Sequence, residues 1–271
     1  MNDTTGVRQR ELTRHVTRAQ TAAVAASSVS AAYDGTAVLR NVNFSLGSAQ
    51  LVAIVGPNGA GKSTLFKLLT GIKKPAGGTV SVFGDTVYRA RRSNHIAYVP
   101  QEAEIDWDYP IVVHDVVLSG RFGRIREEGG WRRFLPPHFS ARSHHDAAAT
   151  ALRAVGMSDY ADRPIGALSG GQKKRVFLAR AIAQDADLLL LDEPLAGIDR
   201  ATESVFFEVL VELRSAGKTV LMITHDFPTV EEFADTVMLL SRSVIEIGPP
   251  AEVLTDENLE RTYHGSVRRG R

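Results

Sequence analysis

An α/β fold, with a more antiparallel β portion in front and a helical insert near the middle, is what the order of apolar segments predicts. Two observations carry it. From Val24 onward, the stretches "VSAAYDG", "AVLRNVNFSLG" and "QLVAIVG" are short, apolar and separated by Gly, Asp and Asn, the pattern of strands joined by tight turns. Farther along, the apolar runs "DLLLLDE" and "KTVLMITHD" alternate with helix-periodic segments, which points to parallel pairing.

The elements follow in order. Residues 1–22 are polar with scattered Arg and read as a flexible N-terminal extension, leaving 23–271 as one domain. "KSTLFKLLTGI" predicts a helix that begins inside a Gly-rich loop and stops at Gly71, and "KKPAGGTVSVFG" a turn and a further strand. Between about 102 and 167 the composition shifts to Arg, His and Ala, with helices expected around His114–Ser119 and His145–Val155; this is the helical subdomain. Its middle, "GRIREEGGWRRFLPPHFSARS", carries Gly and Pro pairs and many charges and is expected to be an exposed loop. A helix over Gln172–Ala183 precedes the strand "DLLLLDE". Another over Arg200–Ala216 places Val205, Phe206, Val209, Leu210 and Leu213 on one face and ends at Gly217.

Composition removes several function classes. The 271 residues are 44% hydrophobic, enough for a packed core, and the net charge of +1 offers no field for wrapping nucleic acid. There is no cysteine, so disulfides and thiolate metal sites are excluded. No apolar run approaches the ~18 residues that a membrane span requires. Adjacent His144 and His145 would diverge by about 100° on a helix and read as ordinary surface side chains rather than metal ligands.

The chemistry is concentrated in two places. Gly56, Pro57, Asn58, Gly59, Ala60, Gly61, Lys62, Ser63 and Thr64 form "GPNGAGKST" between the strand "LVAIV" and a helix, the context in which a P-loop cradles phosphates. Glycines there let successive amides face phosphate oxygens at a helix N-terminus; Lys62 would bridge the β- and γ-phosphates, and Ser63 would set its hydroxyl on Mg²⁺. "LLLLDE" then ends in Asp192 and Glu193 at the edge where open α/β sheets bind ligands. Asp192 is expected to hold Mg²⁺ through water, and Glu193 to polarise the attacking water.

With these residues the sequence closely resembles the ATP-binding subunit of an ABC transporter, from about Val24 to Tyr263, and the expected fold is therefore a P-loop NTPase of the ABC-type ATPase class. Gly56–Thr64 match the family's Walker A motif, Gln101 in "YVPQ" its Q-loop, and "LSGGQ" (Leu168–Gln172) its signature motif. Asp192 and Glu193 match Walker B, Asp199 the D-loop, and His225 in "ITHD" the switch histidine; Tyr33 lies where the family stacks adenine. The resemblance implies ATP and Mg²⁺ as cofactors, with Gln101 approaching the metal and the attacking water. It also implies two copies facing head to tail, so that Ser169, Gly170, Gly171 and Gln172 of one copy contact the phosphates held by the P-loop of the other. Further implied partners are an integral membrane permease and, indirectly, an extracellular substrate-binding protein, which would place the chain at the cytoplasmic face of the membrane; a nucleic-acid partner is not implied.

The segment "EIDWDYPIVVHDVVLSGRFG", the "LAGID" context and the tail "IEIGPPAEVLTDENLERTYHG" resemble importers of manganese, zinc and related divalent metals. Lys173 and Lys174 depart from the glutamines of many relatives, and Leu195 from a common aromatic. A soluble ABC-type clamp or scaffold, or a subunit for another cargo such as iron chelates, is the alternative.

Overall fold

The structure is a computed structural model that describes residues 22–101, 109–128, 140–198 and 200–264. The chain begins with the hairpin β1 (Val24–Tyr33) and β2 (Thr36–Leu46), closed by Asp34 and Gly35 at φ 47° and 79°. Two positive φ values in a two-residue Asp-Gly loop are the turn that matches strand twist, and they leave Tyr33 at the hairpin tip. Then follow β3 (Leu51–Val55), α1 (Lys62–Leu69), β4 (Gly77–Val82), β5 (Asp85–Thr86), α2 (Val87–Arg92) and β6 (Ile96–Val99). The helical stretch holds α3 (Val113–Leu118), a 3-10 turn at Ser119–Arg121, α4 (Phe122–Glu127), α5 (Arg142–Ala154) and α6 (Gly170–Gln184). The remainder is β7 (Leu188–Asp192), α7 (Arg200–Ser215), β8 (Thr219–Ile223), α8 (Phe227–Phe233), β9 (Thr236–Ser241), β10 (Ser243–Gly248), α9 (Pro250–Val253) and α10 (Asp256–His264).

Among the described residues the strands form two sheets, an antiparallel one in the order β2-β1-β4-β5 and a larger one in the order β10-β9-β3-β8-β7-β6. In the larger sheet β9, β3, β8, β7 and β6 pair in parallel and β10 turns back antiparallel at the edge. The α/β architecture with an antiparallel β portion is as the sequence predicts. β7 shows why its strands read as unbroken apolar runs: Leu188 and Leu190 pack toward the antiparallel sheet and α1, whereas Leu189 and Leu191 pack toward α3, α5, α6 and α7. A strand covered on both faces has no polar side to alternate.

Several expectations change. Gly123–Glu127, expected within an exposed loop, is helical, in a helix that starts at Phe122: Ile125 is buried, Arg124 reaches Asp185, and the Asn94 amide donates to Glu127 at 2.7 Å. These tertiary contacts outweigh the local Gly and charge content. His144, read as a surface side chain, is 0% exposed. Arg121 Nε donates to its Nδ1 at 3.2 Å, which makes burial of that nitrogen tolerable; Glu128 Oε1 lies 3.0 Å from its Nε2 without the alignment of a hydrogen bond. His145 departs in another direction and stacks on His114 at 5.2 Å. Phe207, absent from the predicted apolar face of α7, is also buried and stacks on Phe233. Residues 1–21, 102–108, 129–139, 199 and 265–271 fall outside the described residues.

α1 is anchored by Phe66, which is fully buried and meets the Tyr98 ring edge-on at 6.3 Å. Phe66→Ala is expected to cost about 3–5 kcal/mol, read as a lower urea midpoint with an unchanged slope.

Candidate functional site

The site lies where neighbouring parallel strands run out. β3, β8, β7 and β6 are adjacent in that order, and their C-terminal ends and the segments that follow carry the P-loop, His225, Asp192 with Glu193, and Gln101 respectively. Residues more than a hundred positions apart are therefore delivered to one edge by sheet order.

The P-loop takes its course from steric constraints. A Cβ on Gly56 would lie 2.0 Å from the Leu240 carbonyl oxygen of β9, so only glycine fits there. Gly61 has φ 98° and would meet Leu39 of β2 at 2.4 Å, so the turn into α1 excludes a side chain as well. Lys62 is buried, and its ammonium donates to the Gly56 carbonyl at 2.7 Å and the Pro57 carbonyl at 3.1 Å. Burial lowers its pKa, against the raising pull of Glu193 and Asp192.

Next to the loop, Ser63 Oγ donates to Asp192 Oδ1 at 3.3 Å, and the Tyr98 hydroxyl donates to Asp192 Oδ2 at 3.4 Å. Burial pushes the Asp192 carboxyl above its ordinary range; the Ser63 hydroxyl pulls it back, the Glu193 charge adds to the rise, and Tyr98 and Lys62 oppose it. A desolvated carboxylate with hydroxyl neighbours is a place where a hard cation lowers the energy. Tyr98 was not singled out from the sequence. Burial, then the Asp192 charge and the hydrogen bond to it, push its phenol up to about 12. The only sequence signal was an aromatic hydroxyl in the short strand that leads into "PQ".

Glu193 begins the turn after β7 with φ 47°, a left-handed conformation uncommon for a residue with a side chain. Its amide donates to the Ile223 carbonyl at 3.1 Å. Its carboxylate bridges two partners: Gln101 Nε2 donates to Oε2 at 2.6 Å, and His225 Nε2 donates to Oε1 at 2.7 Å. Gln101, Glu193 and His225 thus form one hydrogen-bonded chain. Together with Val38 and residues 58–64 they line a cleft of about 700 Å³. Val38 is a lining residue that sequence reasoning missed.

The signature turn is elsewhere. Ser169 caps α6, accepting from the Gln172 amide at 3.3 Å, while its own amide donates to the Gln172 side chain at 2.9 Å. That reciprocal capping box explains why "LSGGQ" opens a helix so sharply. A Cβ on Gly170 would meet nothing within 4 Å, and Ser169, Gly170, Gly171 and Gln172 do not line the P-loop cleft. Tyr33 is 41% exposed, with the Lys73 ammonium 3.9 Å from its ring centre. Asp199 lies outside the described residues. Among the described residues no group of three or more His, Asp or Glu side chains is placed to hold a metal, and no helix is long and apolar enough to cross a membrane.

A phosphate loop at the end of one parallel strand, with carboxylates on a nearby one, defines a P-loop nucleoside triphosphatase. The sequence profile of the ABC transporter family matches residues 39–196. The manganese transport system ATP-binding protein MntB of Bacillus subtilis is 44% identical over 239 residues, 88% of this chain and 91% of that protein. The zinc transport system ATP-binding protein TroB of Treponema pallidum is 43% identical over 245 residues, 90% and 88% of the two chains. CbiO1 of Clostridium perfringens, part of the ABC transporter complex CbiONQ, superposes with a TM-score of 0.71 at 29% identity over 92% of this chain and 96% of that one. The chain belongs to the ABC transporter family, as an ATP-binding subunit that hydrolyses ATP to drive transport.

A phenol whose folded pKa is raised contributes stability that is complete below the unfolded value and is lost as pH rises through the folded one. For Tyr98 the window runs from 10.0 to about 12. Tyr98→Phe is expected to flatten the fall in stability across that window, measured by urea midpoints; an equally steep fall in both proteins would show that another group is responsible.

Proposed function

We propose that this chain is the motor subunit of an importer for a divalent metal, manganese or zinc, and that two copies close head to tail on two ATP molecules. The observation that carries the hydrolytic half is the Gln101–Glu193–His225 chain at the cleft that the P-loop lines. In this reading Glu193 takes up the proton of the attacking water, Gln101 orients that water, and His225 holds the γ-phosphate while fixing the Glu193 carboxylate. Lys62 leaves the Gly56 and Pro57 carbonyls for the β- and γ-phosphate oxygens, and the amides of residues 56–64 surround the phosphate chain. Tyr33 offers its ring to adenine.

The donors at Ser63 and Asp192 fit Mg²⁺: they are oxygens, they lie 3.3 Å apart, and one belongs to a carboxylate whose burial a cation would relieve. With Gln101 nearby, these residues would hold the ion alongside phosphate oxygens and water. When bound, it supplies neutralisation of phosphate charge.

The capping-box turn of Ser169, Gly170, Gly171 and Gln172 faces the phosphates of the second copy, with Asp199 at the same junction. ATP then adds contacts that exist only in the closed pair and shifts the population toward it. Residues 23–271 act as the ATP-binding domain, 1–22 as an extension, and the helical stretch of about 102–167 as the surface for a membrane permease. The chain sits at the cytoplasmic face, and an external binding protein delivers cargo to the permease. MntB and TroB are named for manganese and zinc, and their identity to this chain across most of its length supports that cargo class.

Glu193→Gln is expected to retain ATP binding, to slow hydrolysis at least about a hundredfold, and to elute as a dimer with MgATP on size exclusion. Turnover close to wild type would reject the role of Glu193, and a persistent monomer would reject the closed pair. Deleting the gene is expected to lower cellular manganese or zinc as measured by mass spectrometry; unchanged levels of both, under limitation for each, would reject the cargo.

A further inference from the structure

Lys174 lies five residues past the cap of α6, roughly 7.5 Å along the axis from Ser169. Its ammonium donates to the Ala196 carbonyl. Ala196 closes the turn that Glu193 opens, its amide donating to the Glu193 carbonyl at 3.3 Å. The side chain of the signature helix therefore ends on the four-residue turn that carries the water-polarising carboxylate. A second contact runs the same way: a Cβ on Gly171 would lie 3.8 Å from Ile198 and 3.9 Å from Thr202, so the first turn of α6 rests against the segment that leads from this turn into α7.

The turn needs an external hold. Glu193 is in the left-handed region at φ 47°, a conformation that is unfavourable for a residue with a side chain. Such a conformation persists where the surroundings over-determine it. On one side the Glu193 amide is held by the Ile223 carbonyl. On the other, the Lys174 ammonium fixes the end of the turn. The Lys174 ammonium is partly desolvated, which lowers its pKa, and the Glu193 charge pulls in the raising direction, so the carboxylate that the turn presents also favours the charged lysine.

We propose that Lys174 is a positioning residue for hydrolysis: it clamps the Glu193 turn to the signature helix, so that the carboxylate aimed at one nucleotide is set by the helix whose N-terminus receives the other. The proposal rests on Glu193 as the water-polarising residue and on the Ser169 turn as the phosphate contact of the second copy. Lys174 touches no reacting atom. Its removal therefore acts on the rate of the chemical step and not on nucleotide binding by the P-loop.

The test compares steady-state ATP hydrolysis and nucleotide affinity of the full chain carrying Lys174→Met and Lys174→Arg. Lys174→Met keeps the length and apolar body of the side chain but loses the donor; kcat is expected to fall roughly tenfold or more while KM and the Kd for ATP stay within about twofold. Lys174→Arg keeps a cationic donor and is expected to recover most of the rate. A wild-type kcat in Lys174→Met, a rise in KM and Kd in place of a fall in kcat, or a failure of Lys174→Arg to recover would each overturn the clamp. Glu193→Gln measured alongside separates the premises: normal turnover in Glu193→Gln removes the reading on which the clamp rests. Severe loss in Glu193→Gln with normal turnover in Lys174→Met refutes the clamp alone.

Discussion

The Leu240 carbonyl oxygen stands where a side chain on Gly56 would have to be, and the rest of the site depends on that contact. β9 runs beside β3, and the P-loop can leave the sheet there only because residue 56 has no side chain. Once the backbone has passed Leu240, Gly61 at φ 98° turns it into α1, whose N-terminal amides face the cleft. A helix at that point supplies favourable partial charge for an anion. On the far side, Phe66 and Tyr98 lock α1 to β6, and the Tyr98 hydroxyl reaches Asp192. A single close backbone approach thus sets the positions of the loop, the helix and, at one remove, the carboxylate.

Charge is arranged in two tiers around the cleft. Lys62 and Asp192 are buried, and burial shifts each toward its neutral form: the ammonium down, the carboxyl up. Glu193 and His225 sit nearer the solvent and face each other at 2.7 Å. The inner pair gains most from ligands that bring opposite charge, a phosphate for Lys62 and a cation for Asp192, because the desolvation already present makes those attractions stronger than they would be in water. The outer pair, with Gln101, is placed for water and proton handling, where access to solvent is an advantage.

Legibility in the sequence follows the range of the forces involved. "LVAIV", "LLLLD" and "TVLMI" were readable as buried strands because burial on both faces writes itself as an unbroken apolar run. The P-loop was readable because its demand for glycine is local. The meeting of Gln101, Glu193 and His225 followed from no local pattern: it needs the order β8-β7-β6, which hydrophobicity alone leaves undetermined, and only resemblance to a family anticipated it. The hydroxyl of Tyr98, the left-handed backbone of Glu193 and the reach of Lys174 to Ala196 depend on register and side-chain direction. Gly123–Glu127 misled in the opposite sense. Its Gly and charges read as loop, whereas contacts from Asn94 and Asp185, distant in sequence, hold it helical. His144 is buried for a similar reason, its partners Arg121 and Glu128 lying on other elements.

β6 is the outermost strand of the large sheet, four residues long, and Pro100 follows it at once. Proline has no amide to offer, so a foreign strand laid along this border would find few groups to pair with before the pattern is interrupted. At the opposite border, β10 is approached by β2, whose Arg40 amide donates to the Arg242 carbonyl at 2.7 Å just before β10 begins. The two rims are thus partly closed to lateral pairing with a foreign strand, the route by which sheets join into fibres.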